Sequence, residues 1–134
     1  MELDINNPNI KPRPVLVVEV NKKRLYASLE ENPTSEDFIS KLASKSLEIP
    51  MSDFKEFEKV GDLPFEVVRT DDAYVYVKAG DIVIHEGKTI IISYDTNRWQ
   101  FSKLASINVK NGKEILDFFE EKDAVVKFFL EWQE

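Results

Sequence analysis

The stretch of the sequence that most resembles a binding site combines a charged, an amide and two aromatic side chains. Arg98, Trp99, Gln100 and Phe101 follow one another in a predicted loop. An arginine holds a carboxylate or polarises a carbonyl group through its planar array of donors, and pockets combine apolar walls with a few polar groups. We therefore expect these four residues to line a ligand pocket. The alternative is that Trp99 and Phe101 anchor the loop while Arg98 pairs with one of the many acidic residues.

The remaining reactive residue types form no recognisable catalytic or metal-binding pattern. His85 is the single histidine and there is no cysteine, so the sequence contains no zinc-ligand spacing and no thiol nucleophile. The adjacent acids Asp71 and Asp72 are expected to form a turn. The four glycines form neither a dinucleotide-binding fingerprint nor a phosphate-binding loop. We expect no metal and no cofactor, assign no catalytic residue, and expect His85 to be structural or exposed.

The charge balance limits the classes of partner. Eighteen lysine and arginine residues face 25 aspartate and glutamate residues, which gives a net charge of −7 and an isoelectric point near 4.9. Binding to nucleic acid needs basic residues that displace counterions from phosphates, and an anionic membrane attracts basic segments. We therefore expect neither nucleic acid nor membrane as a partner, and a small molecule or a peptide instead. No signal peptide is visible at the start, which favours a cytoplasmic protein.

A proline-rich beginning separates from a single folded domain. Residues 1–14 contain three of the six prolines, and proline both fixes its φ angle and lacks a backbone donor. We expect these residues to form an extended N-terminal arm. Residues 15–134 have the length and apolar content of one domain with one core.

Within that domain the hydrophobic patterns predict mostly strands. Runs at 15–20 and 24–30 predict a hairpin, and runs at 74–78, 81–85 and 89–94 predict three more strands, the last with the continuous apolar triplet 90–92. The segment 124–132 predicts a final strand. Phe54, Phe57 and Val60 recur every three residues, which favours a short helical turn or a packed loop.

Two helices are also predicted. The first follows Thr34, which is expected to cap it. The second follows Asn111, with Glu114 at the third position of a capping box. Seven or eight strands with two helices suit a barrel or a packed pair of sheets.

Several short motifs together resemble the small prokaryotic cyclophilin-like proteins. The motifs are a strand Gly80–Asp81–Ile82–Val83, an apolar strand Ile90–Ile91–Ile92 that ends in Tyr94, and a loop that leads to Leu104 and Ile107. The resemblance spans roughly residues 15–131. It implies a mainly β fold, a closed barrel of about eight strands with two capping helices.

The resemblance does not bring an activity with it. True cyclophilins carry an arginine within a Phe-His-Arg motif and also a Phe-x-x-Gln-Gly-Gly motif, and neither motif is present in this sequence. No catalytic role is therefore transferred to Arg98. The leading hypothesis is a barrel that binds a small ligand or an extended peptide. The alternatives are a divergent peptidyl-prolyl cis/trans isomerase and a structural subunit of an assembly.

Overall fold

The computed structural model describes residues 13–43, 45–55 and 57–132 of the chain. Ten strands and two helices lie within these ranges. In chain order they are β1 (Pro14–Val20), β2 (Lys23–Leu29), α1 (Pro33–Leu42), β3 (Leu47–Phe54), β4 (Glu58–Asp62), β5 (Val75–Val77), β6 (Asp81–His85), β7 (Thr89–Ser93), β8 (Asn97–Trp99), β9 (Ser102–Ile107), α2 (Gly112–Phe119) and β10 (Asp123–Trp132).

Eight of these strands form a closed barrel in the order β1–β10–β3–β4–β7–β6–β9–β2. Every neighbouring pair is antiparallel. The first and last strands of the chain pair with each other, with Val17 opposite Phe129. A closed ring of strands leaves no unpaired edge. The expected fold, a closed barrel of about eight strands with two helices, is confirmed.

The hairpin at the start of the barrel forms where the sequence predicts it. Asn21 and Lys22, which connect β1 to β2, have φ angles of 50° and 68°. Two consecutive residues with positive φ suit the right-handed twist of a two-residue hairpin connection, and asparagine tolerates this conformation better than most residues.

Alternate side chains of the strands fill the barrel interior. On β6 and β7 the inward residues Ile82, Ile84, Ile90 and Ile92 are fully buried in this core. Both helices contribute to the same core, and their buried apolar side chains are Phe38, Leu42, Ile115 and Phe119.

Each helix begins at an asparagine. The side chain of Asn111 accepts a hydrogen bond from the backbone N–H of Glu114, as the sequence predicts. The predicted cap of α1 is wrong, because Asn32 accepts from the N–H of Ser35 at 2.8 Å. Thr34 instead donates its hydroxyl to the carbonyl of Val68. Pro33, directly after Asn32, suits the first helical position because its φ angle is already fixed.

The region around Phe54 and Phe57 is a β-hairpin, so the expected helical turn or packed loop is wrong. β3 pairs with β4 through Asp53 and Lys59, and Lys55 in the connection has a φ angle of 52°. The period of three that the sequence shows runs across this turn. Phe54 lies on β3, Phe57 in the turn and Val60 on β4. Both phenylalanine rings are about half exposed.

The expected arm, residues 1–14, lies outside the described residues except for Arg13 and Pro14, and Pro14 already belongs to β1. The boundary between arm and domain stays a prediction. In the described part of the chain, neither helix combines the length and the apolar character that a membrane crossing requires.

Candidate functional site

A two-stranded ribbon lies on the outside of the barrel. The ribbon consists of β5 and β8, which pair through Tyr76 and Arg98 and belong to no barrel strand pair. Val77 of the ribbon is buried against Val83 and Ile91, the outward residues of β6 and β7. The sheet at this point is therefore buried on both faces, which explains the continuous apolar triplet 90–92 in β7.

A groove runs between the ribbon and the barrel. Its volume is about 330 Å³. Rings from both sides and several polar groups line it. The lining residues are Phe54, Glu58, Val60, His85, Thr89, Ile91, Asn97, Trp99 and Phe101.

Two of the four residues expected in a pocket line this groove. Phe101 is buried in the small core beneath the ribbon, and its ring lies edge-on to the His85 ring at 6.0 Å between centroids. Trp99 is 48% exposed and lies edge-on to Tyr74 at 5.6 Å. Its indole thus presents a large apolar surface beside the groove.

Arg98 lies on the opposite face of the ribbon. Its guanidinium carbon lies 5.1 Å from the centroid of Tyr74 and 5.6 Å from that of Tyr76, in cation–π contact. The expected loop is a strand at this point, so successive side chains point to opposite faces. Arg98 and the half-buried Gln100 are not among the described residues that line the groove. A ligand-binding role for the four residues stays a prediction.

Glu58 is the polar residue that sequence reasoning missed. It lies at the start of β4, is half-buried, and borders both the groove and a smaller cavity of about 120 Å³. Burial raises the pKa of its carboxyl group, and the charge of His85 acts in the opposite direction. Among the described residues, no lysine or arginine nitrogen lies within ion-pair distance of this carboxylate. The sequence predicts a helical turn or packed loop around Phe57. A strand at this point puts Glu58 and Val60 on the same face, and the groove is on that face.

His85 is partly exposed at the groove wall. Its side chain is flanked by Phe101 and by Glu86, whose carboxylate lies 4.0 Å from Nε2. The expectation of a structural or exposed histidine agrees with this position. No hydroxyl, thiol or amine in the groove lining is hydrogen-bonded to the imidazole among the described contacts.

A larger cavity of about 710 Å³, here the α2 cavity, lies near the end of α2. Lys59 forms part of its wall, and the Lys59 amine donates to the backbone carbonyls of Glu121 and Lys122. This amine stabilises the chain that follows α2. Among the described residues, one phenylalanine, tyrosine or tryptophan, Phe119, lines the α2 cavity, whereas three line the groove. Within the described ranges, no three histidine, aspartate or glutamate side chains are grouped as a metal site would require.

Sequence comparison gives one result. The profile of the Cyclophilin-like family matches residues 18–129. Neither the curated proteins nor the solved structures contain a significant match to the chain. The family match extends from β1 into β10, over strands that close into the barrel. The chain therefore belongs to the cyclophilin-like family.

Proposed function

We propose that this barrel is a binding protein whose groove receives a small organic ligand or a short extended peptide. The observation that carries the proposal is that Trp99 and Phe101 from the ribbon side face the same cavity as Phe54 and Glu58 from the barrel side. Protein pockets for small ligands commonly measure about 300–1,000 Å³ and pair apolar walls with a few polar groups. The groove is at the lower end of this range, which suits a compact ligand or a few residues of an extended chain.

Rigid elements support both walls of the groove. Ile91 and Val60 belong to barrel strands that pair on both sides. Phe101 is anchored in the core beneath the ribbon. A wall that is already ordered loses little conformational freedom when a ligand binds, which favours affinity.

A fragment titration followed by amide NMR tests this proposal. We expect ligands to shift the amide resonances of Glu58, Val60, Thr89, Asn97 and Trp99. Trp99→Ala should weaken binding about tenfold or more, since a buried aromatic contact contributes about 1–3 kcal/mol. The matched control is Trp132→Ala, because Trp132 on β10 is also 48% exposed and does not line the groove. Ligands that shift resonances elsewhere, or equal effects of the two substitutions, would exclude the groove.

Peptidyl-prolyl isomerase activity is the alternative function, and NMR can test it as well. Catalysis would need a donor that stabilises the twisted amide beside a proline pocket. The strongest donor of the predicted cluster, Arg98, contacts Tyr74 and Tyr76 on the far face of the ribbon, so we expect no catalysis. Exchange NMR on a short X-Pro peptide measures this directly. Faster cis/trans exchange that disappears in Arg98→Ala would favour the isomerase.

A further inference from the structure

The groove contains a carboxylate, that of Glu58, which forms no ion pair with a lysine or an arginine among the described residues. Glu58 is half-buried. Burial raises the pKa of its carboxyl group, and His85 on the neighbouring part of the barrel, strand β6, lowers it. The charge of Glu58 contributes to the raised pKa of Tyr94, which follows β7. Asp95 lines the smaller cavity that Glu58 also borders. None of these neighbours supplies a permanent positive charge. A carboxylate that loses water without gaining a cation is left with an incomplete electrostatic environment.

Aromatic rings line the same groove as this carboxylate, and Phe54 lies opposite Glu58 in the β3–β4 pair. Phe54 from the barrel and Trp99 from the ribbon are both half-exposed, so part of each ring is accessible to a ligand. The face of an aromatic ring carries negative charge density and attracts cations, most strongly for tryptophan. Lys55 already places its ammonium 5.4 Å from the centroid of Phe54, so a cation can approach this ring in the folded protein.

The chain as a whole also favours a positively charged ligand. Its net charge is −7, which raises the local concentration of cations near its surface. The α2 cavity has acidic walls too, but Lys59 lies within it. The groove differs because its described lining contains a carboxylate, three aromatic rings and no lysine or arginine.

From these observations we propose that the groove selects small organic cations, such as alkylammonium compounds, over neutral molecules of the same shape. The ammonium group lies beside Glu58 and against the rings of Phe54 and Trp99. This inference rests on the proposed function and names the ligand class of the same groove. The neutral carboxylic acid form of Glu58 would not attract the ligand, so affinity falls as the solution is acidified.

Choline and its neutral isostere 3,3-dimethylbutan-1-ol are the probes that test charge selection. They are titrated separately into the full chain at neutral pH and low salt, and amide shifts are recorded. We expect choline to bind at the groove with a dissociation constant about tenfold lower than that of the alcohol. Glu58→Gln should remove this difference. The control Glu66→Gln, at an exposed glutamate paired with Lys88 outside the groove, should retain it.

Four results would overturn the inference. Equal binding of choline and the alcohol at the groove would leave the binding proposal in place and exclude charge selection. A preference for choline that survives Glu58→Gln would exclude this carboxylate as the anionic group. Shifts confined to residues outside the groove, or no shifts with either probe, would exclude the cation site, while the separate fragment titration decides whether the groove binds anything. Retained dispersion of the amide spectrum shows that each variant is folded.

Discussion

Lys59 is a charged residue at a position that strand alternation assigns to the barrel interior. It is 1% exposed, and its amine donates to the carbonyls of Glu121 and Lys122 and lies 5.1 Å from the Phe119 ring centroid. These carbonyls follow α2, whose C-terminal end carries partial negative charge. Lys59 therefore connects the end of α2 to β4.

We expect Lys59→Met to lower the free energy of unfolding. Methionine retains an unbranched stem, but the two carbonyls lose their donor. Leaving buried polar groups without partners costs about 1–3 kcal/mol. Urea denaturation measures the change. The control Lys88→Met, at an exposed lysine, should change stability by less than about 1 kcal/mol. Equal stability of Lys59→Met and the native chain would mean that water or a rearranged chain satisfies both carbonyls.

The pH dependence of the same comparison has a definite sign. Burial lowers the pKa of Lys59, and the charges of Asp53, Asp123 and Glu121 partly oppose this effect. The unfolded chain therefore binds this proton more tightly than the folded chain as pH rises towards the ordinary lysine value of 10.5. Stability contributed by Lys59 rises over that range. The destabilisation caused by Lys59→Met should accordingly increase with pH.

Tyr94 responds to alkaline conditions in the opposite direction. It is 4% exposed. Burial is the main cause that raises the pKa of its hydroxyl above the ordinary value of 10.0, and the negative charge of Asp53 adds to it. The folded state thus keeps a proton that the unfolded state loses. The associated stability is present below pH 10.0 and is lost as pH rises further.

A spectrophotometric titration isolates this residue by difference. We expect the tyrosinate absorbance of the native chain and of Tyr94→Phe to coincide while both are folded at about pH 10 to 11. When both chains are unfolded in urea at the same pH, the native chain should show one more tyrosinate than Tyr94→Phe. An extra signal from the native chain while it is still folded would contradict the effect of burial.

At the scale of elements, the ribbon is attached to the barrel by a small core of its own. Val77, Val83, Ile91 and Phe101 are its buried members. The barrel sheet separates this core from the interior one. Local stability varies with the number of buried contacts that an element makes, so the ribbon should open more readily than the barrel strands.

Val77→Ala tests whether the ribbon opens independently. The loss of two buried methyl groups, at about 0.8 kcal/mol each, together with the cavity left behind, should cost about 2 kcal/mol. Amide hydrogen exchange should accelerate at 75–77 and 97–99 and change little in β1 and β10. Val125→Ala, at an exposed valine of β10, is the matched control. Uniform acceleration across the barrel would show that ribbon and barrel open together.

Elements were predictable from sequence where local patterns decide them. The strands at 81–85 and 89–94 follow from apolar runs between turn residues, and the second helix follows from Asn111.

The site was less predictable. Reading the segment of Arg98 and Trp99 as a loop suggested that the two side chains converge, whereas pairing with β5 turns them to opposite faces. Glu58 shares the groove with His85 and Asn97, which are distant in sequence, and spacing along the chain does not encode this arrangement.

For the whole molecule, closure of the barrel depends on its last strand. β10 pairs with β1 on one side and with β3 on the other. Its residues Val126 and Phe128 are fully buried in the interior core. Contacts between strands more than a hundred residues apart are costly to form and contribute only when the rest of the barrel is in place.

A chain that ends at Lys122 should therefore fail to fold. It lacks all of β10, so β1 and β3 would both become unpaired edges and the core would lose Val126 and Phe128. We expect no cooperative urea transition, poor amide dispersion and a tendency to aggregate through the open edges. Val77→Ala provides the contrast, because loosening the ribbon leaves every barrel strand pair intact. A truncated chain that still unfolds cooperatively would show that seven strands suffice, and that closure is not what stabilises this fold.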